Sequence, residues 1–293
     1  MRLTLTVPDE DDGLLVRRLA LDRLCMSYGQ FKRAKFEGVI TLDGEPAHAN
    51  VHARAGQRLC IELPQKAGEL PQHPSTIALT VLFEDDDLLV VDKPAPLPSI
   101  SSAHQDGETL EGAVYAYFGC PDGFLYRPVN RLDKGTSGIM VVAKHSHAQQ
   151  FLQAELHSDA FVREYLAVCE GAPPQSEDVI DLPIAKEDAA SIRRVISENG
   201  RPARTQYRVL ERKNGRCLLR LRLETGRTHQ IRVHLSAIGC PVAGDFLYGV
   251  ELPELPRRFA LHSCSLRLQT LHSGEIAIES PLPTELRRLL DGA

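Results

Sequence analysis

Among the segments of this chain, Cys217–Leu223 constrains the fold most. Leu219, Leu221 and Leu223 fall on one side of an extended strand and Arg220 and Arg222 on the other, which fits a sheet that hides one face and shows the other. Strand-like runs recur around it at Thr80–Phe83, Leu88–Val91, Ile139–Ala143, Tyr165–Val168, Thr205–Val209 and Ile276–Ile278. Helical patterns are fewer. One shows Leu110, Ala113, Val114, Tyr117 and Phe118 on a single face and ends at Gly119; another follows Ser146 as cap, with Ala148, Phe151, Leu152 and Leu156 inward. Strands outnumber helices without strict strand–helix–strand alternation, which predicts an α+β fold around a mixed, largely antiparallel central sheet with flanking helices.

Residues 64–79 hold Pro64, Pro71 and Pro74 among Gln, Gly, Ser and Thr, a composition that continues neither helix nor strand. They divide a module at 1–63 from a larger domain at 80–293. In the module, Leu15, Leu19 and Leu24 intersperse with Arg17, Arg18 and Arg23 as on an amphipathic helix, and a second short helix, Gln30–Phe36, carries Lys32, Arg33 and Lys35. Val39–Leu42 then meets Asp43-Gly44, a strong hairpin signal, and Arg58–Leu63 reads as the closing strand. Between Leu14 and Cys60 there are eight Lys/Arg against four Asp/Glu. Two basic helices feeding a hairpin resemble the S4 RNA-binding module, which implies that Lys32 and Arg33 face RNA. A small solvated α+β cap is the plainer account of the same residues.

Charge is uneven along the chain. The 34 Lys+Arg and 39 Asp+Glu among 293 residues leave a net −5, which excludes both a disordered acidic tail and a uniformly basic coat. Yet twelve Lys/Arg meet only three Asp/Glu between Arg193 and Arg232. A face displaying Arg220 and Arg222 suits a polyphosphate backbone, unless these arginines pair with acids from other segments. No apolar run reaches the about 18 residues of a membrane helix, and Met1-Arg2-Leu3-Thr4-Leu5-Thr6 lacks the apolar stretch of a signal peptide, so a cytoplasmic chain without a membrane partner is expected. Seven cysteines, scattered and free of any Cys-x-x-Cys, together with the out-of-phase His229 and His234, predict neither a disulfide framework nor a metal site.

The segment Arg127-Pro128-Val129-Asn130-Arg131-Leu132-Asp133-Lys134-Gly135-Thr136-Ser137-Gly138 runs straight into the apolar Ile139–Ala143. A Gly/Thr/Ser-rich loop with a central acid that leads into a core strand can hold that acid at a cleft. It is no phosphate loop, because Lys134-Gly135-Thr136 lacks the Gly-x-x-x-x-Gly-Lys spacing. By pattern alone Asp133 serves equally well as a turn or capping residue. However, Arg131-Leu132-Asp133-x-x-Thr136-Ser137-Gly138 is similar to the signature loop of the RluA-type RNA pseudouridine synthases. The same order of motifs continues in Val81–Pro94, Arg163-Glu164-Tyr165-Leu166-Ala167, Gly226–Leu235, Gly244-Asp245-x-x-Tyr248-Gly249 and Ala260-Leu261-His262. Departures occur at Asn130, where His is common, at Arg163, where Lys is common, and at Pro96 and Ser99.

The resemblance implies the pseudouridine synthase fold and a cofactor-free isomerisation of uridine in structured RNA, ribosomal RNA ahead of transfer RNA given the S4-like module. Asp133 would be the catalytic carboxylate, Arg227 the guanidinium favouring its charged form, and Tyr165 the ring that receives the base. Arg131 and Thr136 on the loop, and His229, Gln230 and Arg232 beyond it, would shape the site or its RNA rim. Without the resemblance, Arg227 reads as a surface arginine, Tyr165 as core and Arg131 as half of a salt bridge. Thr228 is expected to cap a helix with Ile231, His234, Leu235 and Ile238 inward. Two other classes stay open: an RNA-binding or ribosome-assembly factor that kept the fold and lost catalysis, suggested by Asn130, and a glycosidase, which normally needs two carboxylates where only Asp133 stands out. No protein partner is indicated, and a monomer is expected.

Overall fold

The computed structural model describes residues 2–24, 26, 28–63, 73–101, 107–121, 124–156 and 158–292. Residues 64–72 of the expected connector lie outside them. The first unit consists of β1 (Arg2–Thr6), α1 (Val16–Asp22), α2 (Tyr28–Glu37), β2 (Val39–Leu42), β3 (Glu45–Pro46) and β4 (Arg58–Glu62). Its strands pair antiparallel in the order β1-β4-β2-β3. Asp43, in the left-handed region at φ 51, and Gly44 turn the chain between β2 and β3. The Arg58 N–H, donating to Asp43 at 2.7 Å, fastens that turn to β4. Val16, Leu19 and Ala20 of α1 and Phe31 and Ala34 of α2 share a core with Leu59 and Ile61 of β4. Strand β1 escaped the pattern reading because only Leu3 and Leu5 among its five residues are apolar; pairing with β4 makes it a strand.

The second unit contains β5 (Thr80–Glu84), β6 (Leu88–Lys93), α3 (Leu110–Tyr117), β7 (Ser137–Ala143), α4 (Ser146–Glu155), β8 (Val162–Glu170), β9 (Glu177–Asp181), β10 (Ile184–Lys186), β11 (Arg194–Ile196), β12 (Arg204–Lys213), β13 (Arg216–Leu223), α5 (Gln230–Ala237), β14 (Leu261–Gln269), β15 (Glu275–Glu279) and α6 (Thr284–Asp291). A nine-stranded sheet runs β5-β6-β7-β14-β8-β13-β12-β9, with β15 beside β14 and the β10–β11 hairpin apart. Its described pairings are antiparallel except β7 with β14. That join requires Gly138, at φ 107, since a Cβ there would stand 2.2 Å from the Ser263 carbonyl oxygen.

Strands β6 and β7 are unbroken apolar runs because both faces of the sheet are covered there. Leu89, Val91, Met140 and Val142 enter the large core shared with Ile231 and Leu235 of α5. Leu88, Val90, Ile139, Val141 and Ala143 enter a second core with Ala148 and Leu152 of α4. Burying each large side chain of this kind stabilises the fold by about 1.5–3 kcal/mol, so β7 is a rigid base for the loop that precedes it. One local expectation changes at α4: the cap is His145 rather than Ser146, its Nδ1 accepting the Ala148 N–H at 3.1 Å. The cysteines are not scattered in space either, for Cys169, Cys217 and Cys240 meet in the large core. No helix among the described residues is long and apolar enough to cross a membrane.

Candidate active site

The loop leading into β7 is tied down at almost every residue. Val129 and Ala143 donate to Val141 and Arg127 carbonyls, so the loop begins as a ribbon along β7. The Asn130 side chain accepts the Val141 N–H at 2.8 Å, and Ser99 holds Leu132 from both sides, donating to its carbonyl at 2.6 Å and accepting its N–H at 3.3 Å. Asn130 and Ser99, two of the departures, thus act on the backbone of the loop. Lys93, wholly buried, donates through Nζ to the carbonyls of Leu97 at 2.7 Å, Pro94 at 3.0 Å and Lys134 at 3.5 Å. Between these anchors Asp133 projects into a cleft of about 720 Å³.

The carboxylate keeps 28% of its side-chain surface exposed and meets Arg232, whose Nη1 donates to Oδ2 at 3.0 Å. Arg232 is itself fixed. Nε and Nη2 grip Asp245 at 2.7 and 2.8 Å, while Phe259 lies 4.0 Å and Tyr248 5.0 Å from its Cζ. Burial works against the Arg232 charge, but the bonds to Asp245 and the charges of Asp245 and Asp133 outweigh it and hold the guanidinium above its ordinary value. His229 stands at the N-terminus of α5 with φ 58, a left-handed conformation unusual for a side-chain-bearing residue. Its Nε2 is 3.8 Å from Asp133 and its Nδ1 2.9 Å from the Tyr248 hydroxyl. That hydroxyl also accepts the Arg194 N–H at 2.8 Å, so Tyr248 ties the His229 ring to the β11 hairpin. Burial, helped by the Arg232 and Arg194 charges, outweighs the opposing Asp133 charge and pushes His229 below its ordinary value. Tyr165, 4% exposed and opposite Leu221 across β8 and β13, supplies an aromatic wall; burial pushes its hydroxyl up. Around the mouth, Arg131, Arg163 and Arg227 pair with no acid among the described residues.

One carboxylate held in place by a buried guanidinium, beside an aromatic wall and under an arginine-lined rim, suits an anionic polymer whose reacting unit inserts. Comparison with known proteins then decides the family. Residues 87–237 match the family described as RNA pseudouridylate synthase. The chain is 36% identical over 308 residues to the Ribosomal large subunit pseudouridine synthase D of Nitrosomonas europaea, covering 98% of this chain and 87% of that protein. The protein of the same name from Pseudomonas aeruginosa is 38% identical over 272 residues, with 87% and 83% covered. The chain belongs to the RNA pseudouridylate synthase family. Among solved structures, Human RNA Pseudouridylate Synthase Domain Containing 1 superimposes with TM-score 0.59 at 28% identity, covering 72% of this chain and 86% of that one.

Within this pseudouridylate synthase several expected roles change hands. The guanidinium on Asp133 belongs to Arg232, not Arg227: Arg227 sits in the turn before α5 and spends its Nε on the Pro202 carbonyl at 3.0 Å. The α5 cap is His229, not Thr228. Gln230 is buried and clips the turn, accepting from Thr225 at 2.8 Å and the Arg227 N–H at 2.9 Å and donating to the Arg204 carbonyl at 2.9 Å, so it braces the turn from within the cleft lining. Thr136, 2% exposed, is also part of the cleft lining. Arg220 and Arg222 project from the face of β13 opposite Leu221, hence away from Tyr165, and Arg220 pairs with Glu164 at 3.3 Å. Arg204 and Arg216 are also paired, with Asp181 and Glu170, so part of the basic third is neutralised. Lys32 is exposed on α2, where Arg33 lies 3.8 Å from Glu37. The sequence reading gave no role to Asp245, Tyr248 or Lys93, although all three lay inside quoted motifs; burial and pairing mark them only in three dimensions.

Lys93 yields a pH signature. Burial pulls its ammonium from 10.5 to about 7, against the charge of Asp133. The unfolded chain keeps that proton up to 10.5 while the folded chain releases it near 7, so this group's penalty on stability shrinks as pH rises between those values. Urea midpoints measured at pH 7 and at about pH 9 should therefore rise for the wild type relative to Lys93→Met. Equal slopes for the two proteins would show that the amine is not desolvated as described.

Proposed function

We propose that this enzyme isomerises uridines of large-subunit ribosomal RNA to pseudouridine, with Asp133 as the acting carboxylate. The observation that carries the reading is the Asp133–Arg232–Asp245 chain at the floor of an arginine-rimmed cleft with Tyr165 as its wall. The names of the relatives supply the RNA class. In the isomerisation the bond from uracil N1 to ribose C1′ breaks, a bond from C5 to C1′ forms, C5 loses its proton to solvent and N1 gains one. Asp133 acts beside C1′ either as nucleophile or as a stabiliser of developing positive charge, and the Arg232 Nη1–H, donating to its Oδ2, keeps it aimed. The target base leaves its stack at a cost of a few kcal/mol, and Tyr165 receives it. Arg131, Arg163 and Arg227 supply cations for the phosphates beside the flipped nucleotide. The unit at 1–63, with Lys32 and Lys35 outward on α2, adds a second RNA contact in keeping with an S4-like module.

Incubating the protein with ribosomal RNA labelled with tritium at uridine C5 tests this. Tritium should reach water in proportion to pseudouridine formed, and a deletion strain should lack pseudouridine at the same large-subunit positions. Tight RNA binding without release would instead point to a binding or assembly factor.

A further inference from the structure

Three buried thiols lie outside the machinery just described. Cys169 and Cys217 are cross-strand partners of β8 and β13, and the Cys169–Val242 bridge lays the loop after α5 along the same strand end, which delivers Cys240 to them. Their sulfur atoms all lie within 4.8 Å of one another, with Cys217 and Cys240 3.6 Å apart. All three are 0% exposed in a core that also holds Leu219, Leu235 and Val242.

We infer that Cys169, Cys217 and Cys240 form a three-coordinate site for a thiophilic d10 cation. Metal–sulfur bonds of about 2.3 Å place the corners of a trigonal site about 4.0 Å apart. The trio brackets that figure, with one edge at 3.6 Å and none above 4.8 Å. An all-sulfur donor set rejects oxygen-seeking ions such as Mg²⁺, and structural zinc takes four ligands where no further His, Cys, Asp or Glu among the described residues joins the group. A soft ion satisfied by three sulfurs, copper(I) or cadmium(II), matches what is present. Binding exchanges three S–H bonds for three metal–sulfur bonds and sends three protons to solvent, with no change of oxidation state. A divalent ion leaves one net negative charge in the core and a monovalent ion two, so the apolar surroundings favour the divalent one. The consequence is mechanical: Cys169 shares β8 with Tyr165, a wall of the cleft, and Cys240 opens the loop whose Asp245 holds Arg232, so a filled site would pin both.

Cadmium(II) titration of the full-length chain, oxygen-free and carrying Cys120→Ala and Cys25→Ala to remove the exposed thiol among the described residues and the one cysteine outside them, provides the test. One equivalent should bind per folded chain, with a thiolate-to-cadmium ultraviolet charge-transfer band and a Tm raised by several degrees. Adding Cys217→Ala, which keeps a small apolar group in the core, should erase both effects; Cys240→Ala serves if that chain does not fold. The site is overturned by an equal band in either folded variant, by uptake only after unfolding in urea, or by a parent chain lighter by two hydrogens because a disulfide has consumed a pair of the thiols.

Discussion

Asp133→Asn is expected to abolish tritium release from uridine-labelled ribosomal RNA, a loss of about 10⁴-fold or more, the scale on which enzymes suffer when a reacting group is removed. The fold should survive. Asn has the same shape, its carbonyl oxygen still accepts the Arg232 Nη1–H, and Arg232 keeps its grip on Asp245. What disappears is the negative charge beside C1′. RNA binding should hold, because Arg131, Arg163 and Arg227 on the rim are untouched. Activity within tenfold of the parent would remove Asp133 from the chemistry, and an unfolded variant would be recognised at once by circular dichroism.

Asp245→Asn should be the most destabilising single change near the site, costing about 3–5 kcal/mol in urea unfolding, as when one partner is removed from a buried ion pair. Arg232 is 3% exposed and walled by Phe259 at 4.0 Å, so water cannot replace the missing carboxylate. The same carboxylate also accepts the Leu247 and Tyr248 N–H groups at 3.0 and 3.1 Å, and Tyr248 in turn orients His229. Activity should fall with stability, since Arg232 would no longer be aimed at Asp133. Arg232→Lys should lose activity as well, because an ammonium cannot grip one carboxylate with two parallel bonds while reaching the other. A loss below about 1 kcal/mol for Asp245→Asn would assign the pair the weight of a surface contact.

Particular residues show where pattern reading reached and where it stopped. The alternation of Cys217–Leu223 put the leucines inside and the arginines outside, as β13 has them. It was silent on which neighbour would lie across from Arg220, and that neighbour is Glu164 on β8. The run into Ile139–Ala143 announced a core strand with an acid just before it. It could not say that Lys93 and Ser99, remote in sequence from Asp133, would tie that loop down through its carbonyls. The choice of Arg227 as partner failed for a local reason with a distant effect. His229 adopts φ 58, so α5 starts at Gln230, and Arg232 in its first turn faces Asp133 and Asp245 while Arg227 is left in the turn outside.

The amino-acid order on its own determined most strand and helix positions, the acid-bearing loop and the resemblance that led to the family, because hydrophobic period, turn chemistry and motif order act over a few residues at a time. The tertiary structure alone decided which guanidinium meets the carboxylate, which arginines are neutralised, and that three far-separated thiols touch. Those outcomes depend on burial and on distances between segments remote in sequence, where an ångström separates a paired charge from a stranded one.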